Sequence, residues 1–366
     1  MQEVSPEERR QNADRTVFVG MSGGVDSSVS ALLLKKAGFN VVGVYMKNWS
    51  RDLPGMKCPW AEDLADAKRV ATKLDIDFRV FDFEEEYHQK VVDYMLTEFK
   101  KGNTPNPDIM CNQEIKFKLF YEVSKAQGAD LIATGHYANS VFGNLCKALD
   151  QNKDQTYFLY RISETAVSHT LFPLGQFLKP EVKKIAAEAG LDNAYKKESM
   201  GVCFVGEVGI QDFLKEYFEV NPGEIVDRET AQVVGTHEGA IFYTIGQRHG
   251  LNLSGGLPYY VVGKDKDKNL IYVSRNLNSS ALWTDKLLLK DVFLRPEHQS
   301  NEVLFNPPQS IDVRIRHRSA LQQAQLVLGQ NHQAALYFDT ELKRPAAGQS
   351  AVFYHANVCL GGGIII

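Results

Sequence analysis

Short apolar runs alternate with amphipathic stretches through the first half of the chain. TVFVG (16–20), VVGVYMKN (41–48), FRVFDF (78–83) and ADLIATGH (129–136) are continuous or nearly continuous apolar runs bounded by polar residues. Runs of this length predict strands, TVFVG a buried one. Between and after them, SSVSALLLKKAG (27–38), AEDLADAKRVATKLDI (61–76), EEEYHQKVVDYMLTEFKKG (84–102) and NQEIKFKLFYEVSKAQG (112–128) repeat apolar residues at helical spacing. A further helix, KPEVKKIAAEAG (179–190), carries proline at its start and glycine at its end, as helix punctuation predicts. Strand–helix alternation of this kind specifies an α/β fold with a doubly wound parallel sheet.

Near residue 218 the texture changes. From NPGEIVDRETAQVVGTHEGA (221–240) onward, short β-like runs alternate with Gly, Asn and Asp turns. Residues 261–262 and 270–274 flank KDKDKN, a predicted hairpin, and KLLLKDVFL, SIDVRIRH, QAALYFDT and SAVFYHANVCLGGGIII continue as strands. The reading is an α/β domain over 1–206, a small central domain over 207–277 and a C-terminal β-barrel-like domain over 278–366.

Composition narrows the class. The chain has 366 residues, 44% apolar and 23% charged, as in an ordinary globular protein. A net charge of −4 argues against non-specific coating of nucleic acid but leaves room for a local basic groove. Lys116 with Lys118, Lys183 with Lys184, Lys196 with Lys197, and Arg314, Arg316 and Arg318 read first as solvated surface charge. The N-terminal residues lack the apolar core of a signal peptide, and no apolar run approaches the roughly 20 residues that cross a bilayer. The five cysteines, at 58, 111, 146, 203 and 359, are scattered without CxxC spacing. That pattern fits reduced thiols and a cytoplasmic protein with no membrane partner.

Chemistry first shows in GMSGGVDSS (20–28), a glycine-rich turn between a strand and a helix. Glycines let backbone approach a ligand, and a helix N-terminus turns its N–H groups and positive end toward an anion. Ser22, Ser27 and Ser28 add hydroxyls. The loop has no lysine where a P-loop of the G-x-x-x-x-G-K-[ST] type requires one. The plain alternative is a tight turn capped by Asp26 or Ser27. A second constellation, KGNTPNPDIMCNQEIKF (101–117), sets two prolines against the preceding helix and forces an extended loop. Asp108 and Cys111 follow three apart, with Asn112 as the expected helix cap, so a carboxylate and a thiol share one face. The third, KKESMGVCFVG (196–206), holds Cys203 among apolar residues and reads equally as a core cysteine. Cys58, Cys146 and Cys359 read as core cysteines, and nothing has zinc-type spacing, so no protein-held metal site is expected.

SGGVDSS resembles the phosphate loop of the PP-loop ATP pyrophosphatases. Taken with TPNPD-x-x-CN-x-x-IKF, GVCF, ATGHYA (133–138), NKDQTYFL (152–159), FYTIGQRHGL (242–251), PAAGQSAVFY (345–354) and CLGGGI (359–364), the chain from about residue 16 to its end resembles the tRNA-specific 2-thiouridylases. It departs from that pattern at Gln113, where lysine is common, in KESMG before Cys203, and at Asn139, where arginine often stands.

The resemblance implies ATP with Mg²⁺ on Gly20, Met21, Ser22, Gly23, Gly24, Val25, Asp26 and Ser27, with Met46 and Gly135 beside the adenine. It implies that the C2 oxygen of the wobble uridine of tRNA attacks the α-phosphate. Cys203 then delivers sulfur as a persulfide, Cys111 releases it with a Cys111–Cys203 disulfide left behind, and Asp108 shuttles a proton. The sulfur would come from a persulfide carrier protein or a cysteine desulfurase. Asn106, Pro107 and Asp108 would hold the flipped base. His136, Lys153, Asp154, Gln155, Arg316, His317 and Gln349 would contact the tRNA. Three alternatives stay open: another PP-loop enzyme, such as an amidating or 4-thiouridine synthetase; a non-catalytic ATP- and RNA-binding protein; and an iron–sulfur cluster on Cys111 and Cys203, with Asp108 as a further candidate ligand, in place of the persulfide.

Overall fold

The computed structural model describes residues 5–53, 58–197, 209–253, 257–295 and 309–366. Cys203, the expected persulfide carrier, lies outside the described residues. The chain divides into two compact units, one of residues 1–92, 107–208 and 355–360, the other of residues 93–106, 209–354 and 361–366.

The first unit is built on five parallel strands, β1 (Thr16–Gly20), β2 (Asn40–Lys47), β3 (Asp77–Asp82), β4 (Leu131–Ala133) and, after a hairpin of β5 (Asn139–Val141) and β6 (Asn144–Cys146), β7 (Thr170–Leu171). Their order is β3-β2-β1-β4-β7. The predicted apolar runs supply the four longer or central strands, and Val17, Val19, Val44 and Ala133 are fully buried. Helices Val25–Lys36 and Lys179–Glu188 pack together on the core around Val29, Leu33, Val182 and Ala186. Because β2 and β3 lie on one side of β1 while β4 and β7 lie on the other, the chain reverses direction between β1 and β4. The carboxyl ends of two such strands frame the usual ligand crevice of an open α/β sheet.

The second unit holds two β structures. β8 (Gly223–Asp227), β9 (Val233–His237), β10 (Tyr260–Asp265) and β11 (Leu270–Ser274) form a sheet of order β10-β11-β8-β9, with the predicted hairpin as the β10–β11 pair. β12 (Trp283–Leu294), β13 (Gln309–Arg314), β14 (Gln322–Leu328), β15 (Ala334–Lys343), β16 (Ser350–His355) and β17 (Val358–Ile365) follow in the order β12-β15-β14-β13-β16-β17, and β12 also pairs with β17. That last pairing closes a six-stranded barrel. It sets Phe293 and Leu294 against Gly362 and Gly361. At Gly361, φ is +141° and a Cβ would lie 2.1 Å from the Phe293 carbonyl oxygen, so the glycine run near the C-terminus is what lets the barrel shut.

Two expectations need correction. The helix expected to begin at Asn112 begins at Pro107, where proline suits the first position. Asn112 is therefore not a cap. It is 2% exposed inside the helix, and its Nδ2 donates to the Phe158 carbonyl at 3.2 Å. From Cys111 to Leu119 the helix also widens to π geometry before returning to α over Phe120–Ala126. The second correction concerns the helix after β1. Its N-cap is Gly24, without a side-chain cap hydrogen bond, so neither Asp26 nor Ser27 caps the turn.

Candidate active site

The phosphate loop leaves β1 at the switch point. Gly23 takes φ +75°, a left-handed conformation suited to glycine. Ser27 Oγ accepts from the Ser22 N–H at 3.2 Å and donates to the Gly24 carbonyl at 3.1 Å, folding the loop on itself. With the first turn of Val25–Lys36 lacking a side-chain cap, its donors and the positive helix end are disposed toward an anion.

A lysine 153 residues away in sequence pairs with the aspartate at the end of the loop. Lys179, 7% exposed at the start of its helix, donates through Nζ to both Asp26 carboxylate oxygens, at 2.6 and 2.7 Å. The Tyr137 hydroxyl donates to Asp26 Oδ1 at 3.0 Å, and the Lys179 ammonium lies 5.8 Å from the Tyr137 ring centroid. Asp26 is thus held beside the loop by a buried cation and a buried phenol. Sequence reading missed Lys179. Its only local signal is a lysine at a helix start, where the helix dipole disfavours a cation unless a carboxylate compensates.

Gly135 and Met46 flank the same loop. A Cβ on Gly135 would lie 2.7 Å from the Ser27 nitrogen and 2.9 Å from the Asp26 carbonyl carbon, and Met46 Cε sits 2.8 Å from where a Gly20 Cβ would be. The Gly135 contacts are backbone on backbone and cannot yield. Gly135→Ala is expected to destabilise the first unit by about 1–3 kcal/mol, as overpacking does, and to weaken ATP binding. Thermal melting and nucleotide titration check this.

One residue further on, His136 faces the second constellation. Its ring lies 5.4 Å from that of Phe117, in the π stretch, and its Nδ1 is 2.8 Å from Thr134 Oγ1. Burial, reinforced by the Lys116 ammonium, holds the imidazole well below its ordinary pKa, so it is neutral at physiological pH. Asp108, in the first turn of the helix, moves the other way: desolvation raises its carboxyl, with Lys116 opposing. Cys111, one helical turn on, is 2% exposed. A protonatable carboxyl and a buried thiol at i and i+3 fit proton shuttling next to a sulfur nucleophile. Of the other cysteines, Cys58 and Cys359 are buried and Cys146 is half-buried.

Three family models match consecutive segments: a tRNA methyl transferase HUP domain over residues 15–207, a tRNA methyl transferase PRC-barrel domain over 211–275 and an aminomethyltransferase beta-barrel domain over 285–365. Among curated relatives, the tRNA-specific 2-thiouridylase MnmA of Bacillus subtilis (strain 168) is 41% identical, covering 96% of this chain and 95% of its own. The chain belongs to the tRNA-specific 2-thiouridylase family. The MnmA proteins of Pseudoalteromonas translucida and Pseudomonas putida are each 44% identical, covering 97% and 96% of this chain and 98% and 95% of theirs. Family membership makes it a sulfurtransferase of PP-loop architecture.

The residues expected to contact tRNA differ in what they touch here. Arg316 is exposed, and His317 and Lys153 are half-buried. Asp154 is 1% exposed, its carboxylate accepting from the Thr156 hydroxyl at 2.9 and 3.0 Å and from the Ala148 N–H at 3.2 Å. Gln155 Oε1 accepts from the Tyr137 N–H at 2.9 Å, and Gln349 Nε2 donates to the Thr104 carbonyl at 2.7 Å. Asn106 ends the loop and Pro107 opens the helix. Among the basic groups, Lys196 is bonded to Asp63 and Asp66, and Arg314 is buried with its guanidinium 5.5 Å from the Tyr354 ring centroid. Among the described residues no helix is long and apolar enough to cross a membrane.

Proposed function

We propose that the protein makes 2-thiouridine at the wobble position of tRNA, using ATP and a cysteine persulfide. The reading is carried by Asp108, a desolvated carboxyl one helical turn before buried Cys111, on a helix that packs Phe117 against His136, next to the loop-contacting Gly135. Full-length similarity to the thiouridylases supports it.

In this scheme the loop N–H groups and Lys179 neutralise the pyrophosphate leaving group. The uridine C2 oxygen attacks the α-phosphorus and pyrophosphate departs, leaving AMP on oxygen. The outer sulfur of a Cys203 persulfide attacks C2 and AMP leaves. The Cys111 thiolate then attacks the Cys203 sulfur, the bond to the transferred sulfur breaks, and the base keeps that sulfur. A Cys111–Cys203 disulfide remains, to be reduced by an external thiol. Asp108 accepts and returns the proton on Cys111. Asn106 and Pro107 bear on the turned-out base, while His136, Lys153, Asp154, Gln155, Arg316, His317 and Gln349 contact or shape the tRNA surface. Partners are tRNA and a persulfide-carrying protein.

Among the described residues no three His, Cys, Asp or Glu side chains converge as a metal cage. A Mg²⁺ carried by the nucleotide would be held chiefly by its phosphates and by water, as this ion prefers. It would supply charge neutralisation on the phosphates.

The test is incubation of unmodified tRNA with the protein, ATP and a persulfide donor, followed by nucleoside mass spectrometry. 2-Thiouridine should form with one pyrophosphate per sulfur, and neither should appear without ATP. Formation of 4-thiouridine instead, or of no pyrophosphate, would reject the reading.

A further inference from the structure

Past the end of helix Lys179–Glu188 the chain turns back on the phosphate loop through Asn193, which is 4% exposed. Its Nδ2 donates to the Gly23 carbonyl and to Ser28 Oγ, both at 2.9 Å, and Ser28 Oγ donates in turn to the Gly24 carbonyl at 2.9 Å. Its Oδ1 is buried and has no hydrogen-bond partner among the described residues. Burying an unmet amide oxygen is unfavourable, so a side chain kept only to fill space would not be an amide. The two donors account for the residue.

A trans peptide unit is planar, with its C=O and N–H on opposite sides. A grip on the Gly23 oxygen from the buried side therefore turns the Gly24 N–H toward the opposite, outer face. Gly24 is the N-cap of Val25–Lys36, so this donor joins those of the first helical turn. Gly23 is fixed on its other flank as well: a Cβ there would lie 2.4 Å from the Asp63 carbonyl oxygen. Lys196, three residues beyond Asn193, donates to the Asp63 and Asp66 carboxylates at 2.7 and 2.5 Å. The loop, the start of helix Trp60–Lys73 and residues 193–196 hold one another in place.

We propose that Asn193 is a positioning residue of the phosphate loop: it holds the Gly23–Gly24 peptide with its N–H turned out to the pyrophosphate of a nucleotide, while Lys196 pins the segment that carries it. The inference rests on the loop binding ATP, as proposed above. Mg-ATP binding by calorimetry and the ATP dependence of thiolation are measured on the full chain as wild type, Asn193→Leu, Asn193→Thr and Lys196→Ala. Asn193→Leu, similar in size but without donors, should weaken ATP binding and raise KM for ATP about five- to tenfold. Its kcat at saturating ATP and KM for tRNA should stay within about twofold of wild type. Asn193→Thr restores one donor and should recover part of the loss, and Lys196→Ala should weaken ATP binding in the same direction by a smaller factor. A lower kcat with unchanged KM and affinity for ATP would mean that Asn193 does not act through binding of the nucleotide and would overturn the inference. So would unchanged ATP affinity in a folded Asn193→Leu, or in Lys196→Ala and Asn193→Thr together if Asn193→Leu does not fold. Failure of the wild type to bind Mg-ATP would reject the nucleotide reading itself, a result no variant can mimic.

Discussion

Cys203→Ser should yield no 2-thiouridine while still releasing pyrophosphate on tRNA, because in the proposed scheme activation of the base precedes sulfur delivery and a serine oxygen cannot carry a persulfide. The loss should reach at least ~1000-fold, as removal of a covalent group does. Cys111→Ser should fail at a different point. Its adenylation and first sulfur attack proceed, but nothing resolves the bond between Cys203 and the transferred sulfur. Without added thiol it should therefore accumulate protein joined to tRNA, and the adduct should be cleaved by a reductant. Non-reducing gels of the two variants, beside nucleoside mass spectrometry, separate these outcomes. Wild-type turnover by both variants under reducing conditions would mean that the disulfide-release scheme is wrong. Iron and sulfide in anaerobically purified protein would favour the cluster route.

The other large effect is expected at Asp26, and it has two parts. Asp26→Ala should abolish pyrophosphate release, because the loop loses its carboxylate and Lys179 loses the group that holds it. It should also destabilise the protein, since the Lys179 side chain is 8% exposed and its counter-ion, 31% exposed, would be gone. Breaking a buried pair from one side costs about 3 kcal/mol, at the low end of the range because Asp26 is partly solvated. In a domain of this size that corresponds to a melting point lower by roughly 6–12 °C. Replacing both partners, Asp26→Ala with Lys179→Met, should recover most of the stability and none of the activity. Pyrophosphate release and melting that both match wild type in Asp26→Ala would remove the pair from the mechanism.

What could be read from sequence was what is local. The phosphate loop was legible because strand, glycines and helix follow one another within residues 16–36, and each leaves its own pattern. The Asp108–Cys111 spacing was legible for the same reason. Lys179 was not, because its partner is 153 positions away and only the strand order brings them together. Asn193 was hidden likewise. Strand β14, QQAQLVL, was missed because its first half is mostly glutamine, its two inward residues, Ala324 and Leu326, are too few to establish alternation, and the exposed Val327 and Leu328 break it. Asn112 was misplaced as a cap because capping preference competes with proline at a first helical position, and proline at 107 began the helix earlier.

The π stretch of residues 111–119 bears on how this helix can change. A π segment is an α-helix that has accommodated extra residues within its turns. Deleting a residue there would let the backbone relax to ordinary α geometry, with about 100° of rotation per residue. Phe117 and Phe120, held against His136 and near Gly20, would keep their facing. Asp108 and Cys111 would swing around the axis and leave the thiol aimed at another side of the fold. The helix is therefore constrained in residue count as well as in composition, and a shorter, more regular version would be a sturdier helix with its carboxyl and thiol facing the wrong way.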